Sequence, residues 1–227
     1  MDGQASGGTE MRIGILGSGL MGSKLGTILA RAGHDVVFSY SRSRKKLEKV
    51  ARDAGGRARA GTPADAIADA DAVLFAVHWS RLDDVLAQTG SLSRKTVLTC
   101  SLPMTRNDSR MVLGLTTSGA EALAARIRKA HVVSAFSTAP SEVLLSVFEK
   151  RKRKTRPDLV LCGNHEGAKK TAAKLIRDVG FNPVDLGALS AARYIEPFSL
   201  LLAEIAYSGT AGPELVYRFE RLSAGTS

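Results

Sequence analysis

Residues 11–41 decide the fold: "MRIGILGSGLMGSKLGTILARAGHDVVFSYS". The stretch opens with a short apolar run, Met11 to Leu16, that reads as a buried strand. Three glycines follow in the pattern Gly17-x-Gly19-x-x-Gly22. Leu25, Ile28, Leu29 and Ala32 then recur at helical spacing, and Gly33 is a suitable stop. "DVVFSYS" is a second strand. Placed between strand and helix, the glycines have separate tasks. Gly17 permits the tight turn, Gly19 lets the backbone approach a pyrophosphate, and Gly22 lets the helix pack closely on the strand. The unpaired N–H groups at the start of the helix then face the phosphates.

The end of the second strand indicates which dinucleotide. An acid about twenty residues past the glycines would hold both ribose hydroxyls of NAD and repel the extra phosphate of NADP. No acid stands between Asp35 and Glu48. Ser39, Tyr40 and Ser41 offer hydroxyls instead, and Arg42, Arg44, Lys45 and Lys46 offer positive charge. A 2′-phosphate, a charged multiple acceptor, suits that set. The expected cofactor is NADP(H).

Working outward, strand alternates with helix. "RKKLEKVARDAGG" reads as a basic helix ended by glycine, and "GTPADAIADAD" as a short helix capped by Thr62. "AVLFAV", "KTVLTCS" and "HVVSAFS" are strands, with helices near Arg81–Ala87 and in "GAEALAARIRKA". "DLVLCG" and "NPVDLG" flank the helix "HEGAKKTAAKLIRDVG". Residues Ala191–Ser208 and Glu214–Leu222 are read as helical. Apolar strands alternating with helices imply an α/β fold, a Rossmann-like doubly wound parallel sheet, here with a small C-terminal α/β domain. The expected division is a disordered tail at 1–10, an NADP-binding domain at 11–149, and a small domain at 150–227 that closes the cofactor cleft. The tract Glu149–Arg156 is the hinge candidate.

The 227 residues carry a formal net charge of +10, which favours anionic partners such as phosphates. Cys100 and Cys162 show no metal or redox spacing, so no metal site is expected and a reducing, cytoplasmic setting is the simplest reading. The polar, glycine-rich N-terminus lacks the apolar core of a signal peptide, and no apolar run reaches the roughly 20 residues of a membrane span.

Ligands of open α/β sheets bind beyond the carboxyl ends of the strands. Three segments qualify: Ala76–Ser80, Thr99–Pro103 and Phe136–Pro140. His78 could be a general acid but has no partner carboxylate evident in the sequence, and lining is the favoured reading. Trp79 reads as packing and Cys100 as a small buried residue. "EKRKRKTR", Glu149–Arg156, is a concentrated basic run without an accompanying nucleic-acid-binding motif. Two readings of the run stay open: a solvated loop, or, since it follows the segment expected near the acceptor, a patch that attracts an anionic substrate.

In their order along Met11–Phe219, the glycine stretch, "AVHW", "SAFSTAP", "LVLCGN" and "DLGALSAARYIEP" resemble the F-420-dependent NADP oxidoreductases, to which domains of six-transmembrane ferric reductases are related. The resemblance implies that Ser18, Gly19, Leu20 and Met21 hold the pyrophosphate, and that Tyr40, Ser41, Arg42 and Lys45 hold the 2′-phosphate. It places Val77, His78 and Trp79 along the nicotinamide, and Phe136, Ser137, Thr138, Ala139 and Pro140 at the deazaflavin. There are departures: the family tends to carry proline at His78, histidine at Ser137 and two arginines at Ser41 and Arg42.

The expected protein is an NADPH-dependent oxidoreductase passing hydride between NADP(H) and a deazaflavin (coenzyme F-420) or a flavin such as FMN or FAD. Two redox cofactors carry their own chemistry, so no obligatory catalytic side chain is assigned. The alternatives are an imine or ketone reductase, and a non-catalytic NADPH-binding protein. The partners expected are small molecules rather than nucleic acid or membrane, with a homodimer open.

Overall fold

The computed structural model describes residues 10–222, so the expected tail, apart from Glu10, lies outside the described residues. Eight strands are present: β1 (Arg12–Leu16), β2 (Asp35–Ser39), β3 (Arg59–Ala60), β4 (Ala72–Phe75), β5 (Thr96–Thr99), β6 (His131–Ala135), β7 (Asp158–Gly163) and β8 (Asn182–Asp185). They form one sheet in the order β3-β2-β1-β4-β5-β6-β7-β8. Every neighbouring pair is parallel except β6 and β7. The helices are α1 (Leu20–Arg31), α2 (Arg44–Ala54), α3 (Pro63–Ile67), α4 (Leu82–Gln88), α5 (Gly119–Arg126), α6 (Val143–Glu149), α7 (Glu166–Val179) and α8 (Ala192–Ser208).

Period-two alternation sorts the strand residues between two cores. Ile13, Ile15 and Phe38 face one core, completed by α1, α2, α6 and α7. Leu16, Val37, Val73 and Phe75 face the other, completed by α3, α4, α5 and α8. Each such side chain contributes about 1.5–3 kcal/mol on full burial. In α1 the buried Leu25, Ile28 and Leu29 form the stripe that the spacing predicts. Close packing there depends on Gly26, where a Cβ would lie 2.3 Å from the Phe38 ring.

The chain leaves β1 in one direction to β2 and β3, then in the other to β4. That reversal opens a crevice above the carboxyl ends of β1 and β4. The glycine loop lies at that point.

One element assignment is corrected, and the expected domain division meets a single continuous sheet. The boundary expected at 149/150 falls in the loop between α6 and β7, but the chain beyond it has no sheet of its own. β7 pairs with β6 through Ser134–Cys162, and β8 pairs with β7. Every residue of β7 is buried, so this strand needs cover on both faces and neighbours on both edges. Glu214–Leu222 is extended rather than helical. Its polar backbone groups bond to β7 instead of to each other. The Asp158 N–H donates to the Tyr217 carbonyl at 2.9 Å, and the Phe219 N–H donates to the Asp158 carboxylate at 2.6 Å. Two short elements, β3 and α6, were not anticipated.

Candidate active site

Gly17 turns the chain out of β1 with φ = +109°, a region that L side chains rarely adopt. A Cβ there would sit 2.3 Å from the Ala76 carbonyl oxygen, and one on Gly22 would sit 1.8 Å from the Gly17 oxygen. Those two glycines are required by the turn and by the packing. Gly19 differs: a Cβ on it would meet nothing within 4 Å. It faces open space, and as N-cap of α1 it supplies no side-chain hydrogen bond to the helix's free N–H groups. An anion is the natural partner for such an end. The loop is held by its neighbour strand, since Gly17 N–H donates to Ser39 O and Ser18 N–H to Tyr40 O.

A groove of about 790 Å³ opens over this loop. Gly17, Ser18 and Gly19 form its floor, and Tyr40, Ser41 and Arg42 one wall. Arg44, Lys46 and Arg81 add positive charge. Ala76, Val77 and His78 form the wall at the end of β4. Tyr40 is a non-glycine residue at φ = +57°, a conformation that aims the chain from β2 into the groove. Its hydroxyl donates to Asp84 of α4. Burial and that carboxylate push the phenol up to about 12, so it remains a proton donor. Asp84 is the acid that the linear sequence did not place here. It is already bonded to Tyr40 and to the Gln88 amide, and four basic residues outnumber it in the groove.

His78 has the partner that sequence reasoning lacked. Its Nε2 lies 3.0 Å from the Asp108 carboxylate, and the Ser80 N–H donates to Nδ1 at 3.1 Å. Nδ1 is thus an acceptor, which assigns the neutral ring's proton to Nε2, directed at Asp108. Both nitrogens are engaged, and the ring serves as N-cap of the 3-10 turn Trp79–Arg81.

On the other side of the glycine loop lies a second cavity, of about 270 Å³. Leu20 and Met21, the first residues of α1, line it together with Phe136–Pro140, Cys100 and Leu102. From α8 come Ser199, Leu202, Ala203 and Tyr207. The lining is chiefly apolar. Phe136 has φ = +67°, so the exits from β2 and β6 are both unusual. Burial pushes the Cys100 thiol up to about 12, which leaves it protonated and unreactive at neutral pH. Thr138 is fixed by the extended C-terminal segment, with the Tyr217 hydroxyl 2.8 Å away.

α8 is anchored by a buried carboxylate. Glu196, 2% exposed, accepts from the Gly119 and Ala120 N–H groups at 2.8 and 3.0 Å, at the N-terminus of α5. Burial raises its pKa to about 7, against the opposing pull of those two hydrogen bonds. Arg193 adds a bidentate pair with Glu121 at 2.7 and 2.9 Å.

The amino-acid sequence at 12–103 matches the family model described as NADP oxidoreductase, coenzyme F420-dependent. The matched residues run from β1 through β5 to Pro103 and include the glycine loop and the end of β2. The rat metalloreductase STEAP3 is 28% identical over 191 residues, which is 84% of this chain but only 37% of that protein. A solved structure from Arthrobacter sp. fb24, named as a candidate F420-dependent NADP reductase, superimposes with a TM-score of 0.81 at 21% identity. The match covers 93% of this chain and all of that one. An imine reductase from Aspergillus terreus in complex with NADPH4 gives a TM-score of 0.62 at 19% identity, covering 87% of this chain and 62% of that one. At these identities the two structures report the fold alone.

The residues singled out from the sequence separate into groups. Gly17, Ser18, Gly19, Tyr40, Ser41, Arg42, Val77 and His78 line the groove. Leu20 and Met21 do not: they line the second cavity with Phe136, Ser137, Thr138, Ala139 and Pro140. Lys45 is absent from the groove lining, and its neighbours Arg44 and Lys46 are present. The reason is local: Ser43 caps α2 and accepts from the Lys46 N–H, and the side chains of that first turn diverge around the axis. Trp79 packs against the core beside α4 instead of lining the groove. Gly61, Pro63, Arg81 and Gln88 line it without having been anticipated. They belong to crossover connections, and no local motif marks them.

The basic run is also displaced from its expected position. Arg151, Lys152 and Arg156 gather with Arg31, Gly33 and His34, at the end of α1 opposite the glycine loop. Twelve helical residues separate the two ends, roughly 18 Å of helix. At that distance, beyond a Debye length of about 8 Å, these three charges are screened from the glycine loop.

Proposed function

We propose that this protein is an NADPH-dependent oxidoreductase that reduces a flat deazaflavin or flavin ring. The observation carrying this reading is that one glycine loop serves two cavities. Gly17–Gly19 floor a basic groove, and the next residues, Leu20 and Met21, line an apolar pocket. The residues fit a phosphorylated dinucleotide. Gly19 leaves room for a pyrophosphate, the α1 N–H groups are uncapped, and Arg42, Arg44 and Lys46 surround the end of β2 without a competing free acid. Guanidinium forks suit a 2′-phosphate, which NADPH carries and NADH lacks.

The nicotinamide supplies a hydride donor when bound, and the acceptor ring supplies the sink. The chain's own residues bind, orient and exclude water. Val77 and His78 close the groove at the end of β4, with the Val77 carbonyl held by the Ser101 hydroxyl at 2.6 Å. Phe136 to Pro140, Leu102 and Leu202 wall the second cavity with apolar surface. The Ser137 hydroxyl, where the family tends to carry histidine, is 3.2 Å from that of Ser199. His78 aims its proton at Asp108 and keeps its ring fixed, so it acts as a positioning residue.

One observation favours a second reading, an imine or ketone reductase. The His78–Asp108 pair is a charge-stabilised proton source if the ring turns toward substrate. Spectroscopic turnover with NADPH against coenzyme F-420, FMN, FAD and riboflavin, beside cyclic imines and ketones, tests both. Turnover of a deazaflavin or flavin supports the proposal. Turnover of imines or ketones alone overturns it, and NADPH binding without any turnover points to a non-catalytic NADPH-binding protein.

A further inference from the structure

Six basic residues outside the groove gather at one place. Arg31, Arg151, Lys152, Arg156, Lys174 and Arg177 line a cavity of about 480 Å³. They come from three separate elements: the end of α1, the loop after α6, and the last turns of α7. Two carboxylates share the cavity, and both are committed. Glu10 pairs with Arg57. Asp178 accepts from Lys174 at 2.6 Å and from the buried His34 at 3.1 Å. Among the described residues, no ion pair engages Arg31, Arg151, Lys152, Arg156 or Arg177.

Cations near helix C-termini offset the helix dipole, and that accounts for Arg31 in the last turn of α1 and Arg177 in the last turn of α7. It does not account for three further cations brought to the same cavity by a loop. Arg151 is also held in place. Its guanidinium donates to the Phe148 carbonyl at 2.8 Å and stacks 3.9 Å above the Phe148 ring. A preorganised guanidinium loses little freedom on meeting an anion.

We propose that this cavity is a second anion site, which takes a small molecule bearing two or more linked phosphates. A single negative charge would leave most of the cluster unneutralised, whereas a di- or triphosphate presents several charges within the reach of residues from three sides. The concave lining suits a compact ligand better than the broad backbone of a duplex. The site stands at the opposite end of α1 from the dinucleotide groove, and it does not depend on how that groove is used.

The test uses the full chain with the groove weakened at both its phosphate loop and its basic wall by Gly19→Val, Arg42→Ser and Arg44→Ser, and loss of NADPH binding verifies this background. Tripolyphosphate is titrated calorimetrically into this background. It is then titrated into the same background carrying Lys152→Ser, Arg156→Ser and Arg177→Ser. A control background carries Lys129→Ser and Lys154→Ser, basic residues outside the cavity. Circular dichroism establishes that each variant is folded, and where the triple variant is not, Lys152→Ser with Arg177→Ser replaces it. The expected result is one-to-one binding that weakens about tenfold or more in the cavity variant, the effect of losing a few charge-assisted contacts, and stays unchanged in the control. Equal weakening in cavity and control variants would overturn the proposal and leave nonspecific attraction. So would absence of tripolyphosphate binding, with or without binding of a DNA duplex.

Discussion

Glu196 makes the stability of this protein depend on pH in a direction unusual for a carboxylate. Its side chain is 2% exposed and its pKa is raised to about 7, from an ordinary value of 4.5, because burial disfavours the charged form. Between those two values the folded protein holds a proton that the unfolded chain has released. Stability contributed by the neutral acid is therefore complete below pH 4.5 and is lost as pH rises through 7. A difference of two to three units corresponds to about 3 kcal/mol, at 1.36 kcal/mol per unit. That is a large part of a typical stability of about 5–15 kcal/mol. Glu196→Gln removes the titration while keeping one acceptor for the Gly119 or Ala120 N–H. Urea unfolding from pH 5 to pH 8 is the assay. Burial lowers the His131 pKa, which contributes a slope of opposite sign, so the difference between the two proteins is the quantity to read. The native chain should lose about 2.5 kcal/mol more than the variant across that range. Parallel pH profiles would show that Glu196 does not titrate there, and the account of the α5–α8 anchor would fail. Because α8 supplies Ser199, Leu202 and Tyr207 to the second cavity, acceptor binding should weaken over the same range.

Arg42→Asp should weaken NADPH binding roughly ten- to hundredfold, the loss of about 1.5–3 kcal/mol for a charged hydrogen bond, with little effect on NADH. Fluorescence titration reads both, and equal affinities in the unaltered protein would refute the 2′-phosphate assignment. Gly19→Val should fold normally, as its Cβ points into open space, yet lose dinucleotide binding. Gly17→Ala should instead destabilise the fold, since its Cβ would lie 2.3 Å from a backbone oxygen. Circular dichroism and NADPH titration distinguish the two glycines, and undiminished affinity in a folded Gly19→Val would make that residue purely structural. His78→Ala should keep turnover of a flavin-type acceptor within about tenfold, because a positioned general acid typically contributes 10²–10⁴-fold. A thousandfold loss with NADPH binding intact would move the assignment to imine or ketone reduction.

The sequence by itself determined the Rossmann-like sheet, the glycine loop and the basic end of β2. These signals are local. A glycine pattern, an apolar period of two or of 3.6, and a missing acid each act within a few residues of where they are read, and burial of the apolar face enforces them. Tertiary structure alone decided what meets across the sheet. Asp84 reaches Tyr40 from 44 positions away and Asp108 reaches His78 from 30, so neither pairing leaves a linear trace. The extended run 214–222 has a helix-compatible composition, but bonds to Asp158 and Val160 hold it against β7. The basic run is obvious in the sequence, yet its position was misjudged. The loop after α6 carries it to the C-terminal end of α1, and only the packing of α1, α6 and α7 in one core fixes that direction. Leu20 and Met21 divide from Gly19 for a similar reason. They belong to the same short motif, but the helix that starts there turns their side chains to the far side of the loop, where β6 and α8 complete a second cavity.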